Sequence, residues 1–274
     1  MFLLATTLAF ISFLGTLVSA QSTNKTTLGI AAIRAHFFNA GLVPSLLPSF
    51  NPSAIMTVNF SGVGVISPGQ NLSKQQTATA PDLKIIPANA SVPVKGNFTL
   101  VMVDARTVGT NESNGQILHW LASYVTLKRN CSSHCPLNVS TTGGVVVTNY
   151  VGPLPQAGSG PHRYVILLLP QPPSFSPPAN LTKPNSGPSL NFHLTDYIST
   201  SHLDPPFAGM YFDVQRGPSN VTVPPTSAVV TSTLNCPTSS TVSNYATLLV
   251  VLFIKAADIW NLRLKFEHKH KPRV

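Results

Sequence analysis

Three polar clusters stand where apolar runs begin or end, and their residue types suit the holding of an anion. Asp104 closes the run Phe98-Thr99-Leu100-Val101-Met102-Val103. His119 is set inside Ile117-Leu118-His119-Trp120-Leu121. His162-Arg163-Tyr164 opens the run Val165-Ile166-Leu167-Leu168-Leu169. A charge or an imidazole beside a buried strand is costly unless it is paired. Asp104 meets that need with His119 or with His162. A carboxylate that accepts from one ring nitrogen fixes the tautomer and leaves the other nitrogen facing outward. The loop from Gly152 to Pro161 is rich in Gly and Pro, and backbone amides turned inward by such a loop hold phosphate. Two imidazoles, the Tyr164 hydroxyl and these amides together make a small anion pocket. Each polar residue alone reads as a satisfied structural group, so the case rests on their occurring together.

Common catalytic signatures are missing. The chain has no Gly-X-Ser-X-Gly elbow, no phosphate loop ending in Gly-Lys-Ser/Thr and no His-Glu-X-X-His. Before the C-terminal tail its acids are Asp82, Asp104, Glu112, Asp196, Asp204 and Asp213, and none stands in a context that suggests a carboxylate pair. Ser159 is near His162 in sequence but lies in a flexible loop, so a hydrolase ranks last among the readings. Cys131, His134 and Cys135 lack a fourth zinc ligand at sensible spacing. No cofactor and no metal are expected.

The elements that must position these residues read as strands. Ile55 to Phe60 alternates, Gly62 to Ile66 continues in β character, and Phe98 to Val103, Ile117 to Leu127, Gly143 to Tyr150, Tyr164 to Leu169 and Phe207 to Val214 are further strands. Gln70 to Ala80 reads as a loop. Helix is predicted from Asn24 to Gly41, with Ile30, Ile33 and Phe37 on one face and Gly41 as the stop. A short helix is predicted from Leu190 to Thr200. Pro170 to Pro188 reads as an exposed connection. The pattern is all-β with minor α, and sandwich-like.

Composition narrows the setting. The chain has 274 residues, of which 43% are hydrophobic and only 9% charged, against roughly 25% charged in an ordinary soluble domain. The 25 Pro and 17 Gly argue against a helical bundle. Of the net charge of +9, much lies in residues 255–274, and no basic cluster with interleaved aromatics occurs elsewhere. Nucleic acid is therefore not an expected partner. The apolar run Phe2 to Val18, followed by Val18-Ser19-Ala20, reads as a signal peptide over residues 1–20, and the protein is expected to be secreted or held at the cell surface. Acceptor motifs for N-glycans agree: Asn24, Asn71, Asn89, Asn111, Asn138, Asn180 and Asn220 are the candidates, while Asn59 and Asn97 lie in or beside strands and Asn130 adjoins Cys131. In an oxidising compartment Cys131 and Cys135 are expected to close a small disulfide loop, leaving Cys236 odd. A domain over residues 21–216 is followed by a Ser/Thr/Pro-rich stalk over 217–244. Residues 245–274 join a short apolar segment to a basic tail, for which a lipid-anchor signal, a surface helix and an artefactual end all stay open.

Five motifs occur in order: Val101-Met102-Val103-Asp104, Leu118-His119-Trp120-Leu121, Tyr150-Val151-Gly152-Pro153, Gly160-Pro161-His162-Arg163-Tyr164-Val165 and Pro206-Phe207-Ala208-Gly209-Met210-Tyr211-Phe212. In this the chain resembles the phosphatidylethanolamine-binding protein family, in a secreted form of the kind found in fungi, over roughly Thr27 to Gln215. The resemblance implies an antiparallel β fold with a small anion cavity at one end. It also implies pocket roles for Asp104, His119, Gly152, Pro153, His162 and Tyr164. Ligands would be a phosphorylated small molecule or a phospholipid head group, phosphoethanolamine-like, or a carboxylate. Some relatives inhibit a serine carboxypeptidase or bind kinases, which makes a protein partner the alternative. One departure stands out. The family motif Asp-Pro-Asp-Ala-Pro is here Asp104-Ala105-Arg106-Thr107-Val108, with a cation in place of the second carboxylate.

Overall fold

A computed structural model describes residues 25–89, 92, 94–110, 112–130, 135–184, 188–223 and 229. The chain divides into two compact units, residues 1–234 and 235–274, and every described residue belongs to the first. The predicted signal peptide, Asn24, Asn111, Cys131, Cys236, most of the stalk and the basic tail lie outside the described residues.

Strands dominate. In chain order they are β1 (Ala54–Phe60), β2 (Gly64–Val65), β3 (Asn71–Leu72), β4 (Asp82–Pro87), β5 (Phe98–Asp104), β6 (Gln116–Arg129), β7 (Leu137–Ser140), β8 (Val145–Thr148), β9 (His162–Pro170), β10 (Ser189–Phe192) and β11 (Ala208–Val214). Helix α1 spans 25–39 and α2 spans Leu194–Thr200. The sheet runs β2-β1-β4-β7-β6-β5-β9-β11-β3, with β8 and β10 also on β6. Every pairing is antiparallel except β11 with β3. With 14 residues, β6 is long enough to pair with β5 along its first part and with β7 at its end, so one continuous sheet curls on itself. The expected antiparallel β class is the observed one.

The apolar runs take the centre because only strands covered on both faces tolerate them. All seven residues of β5 are buried, and β9 is buried from His162 to Leu169. Helix α1 presents Ile33 and Phe37 to the sheet, and the rings of Phe37 and Phe50 stack 3.9 Å apart. Gly209 on β11 makes this approach possible: a Cβ there would come within 2.8 Å of Leu167 and 3.2 Å of Phe37. Gly41, at φ 64, ends the helix where the sequence predicts.

Four elements depart from expectation. β4 and β7 were unforeseen; both are short and only partly buried, and their apolar residues Leu83, Ile85 and Leu137 are separated by polar ones. The predicted helix Leu190 to Thr200 is helical only from Leu194. Before that, Ser189 and Phe192 pair with Leu118 and Gln116 on β6, and the Gln116 carboxamide accepts the Leu194 N–H, so strand pairing claims the first half and caps the second. β3 interrupts the expected loop Gln70 to Ala80.

Candidate functional site

Asp104 ends β5 and His162 begins β9. The two strands are antiparallel, so these ends meet at one edge of the sheet, with Asp104 directly opposite Tyr164. His162 Nδ1 donates to Asp104 Oδ2 at 2.8 Å. Of the two imidazoles open to Asp104 on sequence, His162 is the partner. The other carboxylate oxygen accepts the Arg106 N–H at 2.6 Å. Asp104 is 1% exposed, so both of its oxygens serve the protein.

His119 has a different anchor. Its Nδ1 donates to the Val151 carbonyl at 2.8 Å, while Val151 N–H donates back to the His119 carbonyl. Burial holds its pKa below the ordinary value of 6.5, against the opposing pull of the Val151 bond and of Asp104. The His119 ring meets Tyr164 edge-on at 5.2 Å, and Tyr164 stacks on His162 at 6.5 Å. Tyr164 is fully buried, and its hydroxyl makes no hydrogen bond of good geometry among the described residues. Burial first, and the nearby Asp104 charge second, push its pKa well above the ordinary tyrosine value.

In front of this group opens a cavity of about 550 Å³. Asp104 and His162 line it; His119, Gly152, Pro153 and Tyr164 are not among its lining residues. Gly152 allows the loop to close on a neighbour, since a Cβ there would come 2.8 Å from the Thr77 carbonyl. The cavity walls add residues the sequence reading did not assign to the pocket: Ser159, Gln156, Thr107 and Arg216, with Arg106 beside them. Ser159 Oγ lies 2.8 Å from His162 Nε2 and donates to the Gln156 carbonyl at 2.7 Å. Gly158 and Gly160, at φ 82 and 88, flank Ser159 and turn it inward. These glycines were the available sequence signal. Residues 217–223, assigned to the stalk, pack on this loop: Gly158 N–H donates to Arg216 O, and Asn220 N–H donates to Gly158 O.

Arg163 is no pocket residue. Its guanidinium is buried and donates to the carbonyls of Ala40, Ala105, Arg106 and Thr107 at 2.7 to 3.1 Å. Carbonyl oxygens thus satisfy the guanidinium donors, and the Arg163 charge also acts on the Asp213 carboxyl. The clamp holds the loop after β5 against the end of α1. Within it Arg106 takes φ 54, an unusual conformation for a side chain with a Cβ. Its N–H is held by Asp104 and its carbonyl by Arg163. The Arg106 side chain is half-buried at the cavity and Arg216 is exposed on the cavity's rim.

The family model described as phosphatidylethanolamine-binding protein matches residues 62–212, more than half of the sequence. The chain belongs to the phosphatidylethanolamine-binding protein family. Among its curated relatives, the carboxypeptidase Y inhibitor of Saccharomyces cerevisiae is 31% identical over 143 residues, which is 45% of this chain and 65% of the inhibitor. A 26 kDa secreted antigen of Toxocara canis is 28% identical over 182 residues, 65% of this chain and 63% of the antigen. The matches therefore span just under two thirds of these two relatives. Among solved structures, carboxypeptidase Y inhibitor complexed with its cognate proteinase superposes with a TM-score of 0.54 at 22% identity, covering 72% of this chain and 96% of that one. The family member from Plasmodium vivax superposes with a TM-score of 0.50 at 15% identity, covering 66% of this chain and 96% of that one. These two likenesses establish the shared fold.

Cys135 is disulfide-bonded; Cys131, its expected partner, is outside the described residues. No cluster of three or more His, Cys, Asp or Glu residues suited to a metal occurs among the described residues.

Proposed function

We propose that this family member is a non-catalytic binding protein whose cavity takes a phosphoryl or carboxylate group. The observation that carries the reading is the pairing of two guanidinium groups, Arg106 and Arg216, with an imidazole held in place by Asp104, all on one cavity. Charge-assisted donors of this kind are the strong ligands of oxyanions. Ser159 bears on the rival hydrolase reading, because a Ser-His-Asp series can activate a serine. Its hydroxyl proton, however, is given to Gln156. The serine then staples its own loop, with His162 Nε2 2.8 Å from the same oxygen. Titration calorimetry with inorganic phosphate tests the pocket: saturable binding that weakens strongly in His162→Ala supports it, and binding indifferent to that change overturns it.

A second reading is inhibition of a serine carboxypeptidase, favoured by the likeness to carboxypeptidase Y inhibitor in sequence and fold. It and the anion pocket can coexist, since a protein partner would dock on surface segments such as the described parts of Pro170 to Pro188. Unchanged peptide hydrolysis by a serine carboxypeptidase in the presence of excess purified chain would remove this reading. Secretion and N-glycosylation belong to the same proposal. Asn71, Asn89, Asn180 and Asn220 are exposed and accessible to a glycan, while Asn138 is only partly so. Mass spectrometry of the mature protein reads both signal cleavage and occupancy.

A further inference from the structure

Resting on the reading of the cavity as an anion site, we infer that its ligand is a dianionic phosphomonoester rather than a zwitterion such as phosphoethanolamine. Three features of the cavity carry this. First, its charges are lopsided. Arg106 and Arg216 bring two permanent cations, and among the described residues neither guanidinium has an ion pair or a hydrogen bond. Second, among the described residues the cavity has no free anion for an ammonium group. Asp104 is the one acid among the described lining residues, and it is buried with one oxygen on His162 and the other on the Arg106 N–H. An ammonium entering beside a phosphate would meet two guanidinium groups and no accessible carboxylate. Like charges brought together at a binding site cost affinity and select against the wrong partner. Third, part of the lining is apolar. Ile117, Leu154 and Pro155 contribute it, and Leu154 is 57% exposed. That apolar share suits the organic half of an ester, with the arginines taking the phosphate.

Arg106 is the residue that sets this selectivity, and its placement is fixed by the backbone. At φ 54 it is held from both sides, by Asp104 on its N–H and by Arg163 on its carbonyl. The side chain therefore projects from a point that the buried clamp determines.

The test is a matched pair on the full chain at neutral pH. Ethyl phosphate and O-phosphoethanolamine share a phosphate and nearly the same size, and differ by an ammonium. By titration calorimetry, ethyl phosphate is expected to bind at least about tenfold more tightly, as one further favourable charge contact allows. Arg106→Asp is expected to close or invert that gap. Arg216→Ala, at an exposed site, is expected to weaken ethyl phosphate more than dimethyl phosphate, a monoanion. If O-phosphoethanolamine binds as tightly or more tightly, the inference falls while the anion pocket stands; if neither ligand binds, both fall. The same chemistry has two sources. Sedimentation with vesicles containing phosphatidic acid, but not with phosphatidylethanolamine vesicles, supports a membrane-borne monoester. Binding of ethyl phosphate without vesicle binding supports a soluble one. Preference for the phosphatidylethanolamine vesicles overturns the inference.

Discussion

His162 Nδ1 and Asp104 Oδ2 stand 2.8 Å apart although 58 residues separate them in the chain. The antiparallel pairing of β5 with β9 alone brings them together, because one strand ends where the other begins. The bond fixes the ring, brings Nε2 to Ser159 and engages one oxygen of a carboxylate that is 1% exposed. Removing the carboxylate strands two buried donors, His162 Nδ1–H and the Arg106 N–H. Asp104→Ala is expected to cost about 3 kcal/mol of stability and to abolish phosphate binding. Chemical denaturation and phosphate titration of the variant check both. An unchanged denaturation midpoint would mean that the bond holds nothing.

Arg163 is expected to matter to the pocket without touching its ligand. Arg163→Met leaves carbonyls at Ala40, Ala105, Arg106 and Thr107 without their donor. A loss of about 3 kcal/mol or more follows. Lysine is not a rescue, since it lacks the planar fork that reaches several acceptors. Full stability in Arg163→Lys would contradict the clamp.

Burial pushes the Asp213 carboxyl up to about 7 from 3.8, with Arg163 pulling the other way. Between those values the folded chain holds a proton that the unfolded chain has released. Stability therefore falls as pH rises through this window, and the penalty is complete above pH of about 7. Asp213→Asn removes it. The variant is expected to match the parent at the acid end of the window and to be more stable above it, by at most about 4 kcal/mol. Parallel stability curves for the two chains would refute the assignment.

His119 behaves in the opposite sense. Its pKa lies below 6.5 in the folded chain, so unfolding takes up a proton that folding refuses. Stability from this residue is present above the ordinary histidine value and is lost as pH falls below it. In an NMR titration the His119 ring is expected to remain neutral where free histidine is half charged. A fully charged His119 in the folded chain at that point would show that the Val151 bond and Asp104 outweigh burial.

Ser159 is expected to be inert. A fluorophosphonate probe, which captures activated serines, should leave the chain unlabelled. Labelling that disappears in Ser159→Ala would replace the binding reading with a hydrolase.

The sequence disclosed the central strands because β5 and β9 are covered on both faces and must be apolar throughout. It disclosed the meeting of Asp104, His162 and Tyr164 because polar groups at the ends of such strands need partners. β4 and β7 escaped because half-covered strands of a few residues, such as Leu137–Ser140, mix polar and apolar positions as loops do. The Arg163 clamp was not legible because its hydrogen-bond acceptors are main-chain carbonyls, which every residue possesses and no sequence pattern marks. Ser159 and Arg216 reach the cavity through loop geometry, set by Gly158 and Gly160 and by the packing of residues 217–223 on their loop. His119, Gly152 and Pro153 carry the family motif yet stand off the open cavity.

Heteronuclear NMR of the full chain titrated with inorganic phosphate tests the anion site most directly. The account predicts saturable shifts concentrated at Arg106, Thr107, Gln156, Ser159 and His162, and their loss in His162→Ala. Saturable shifts on another face, with these five signals unmoved, would contradict it.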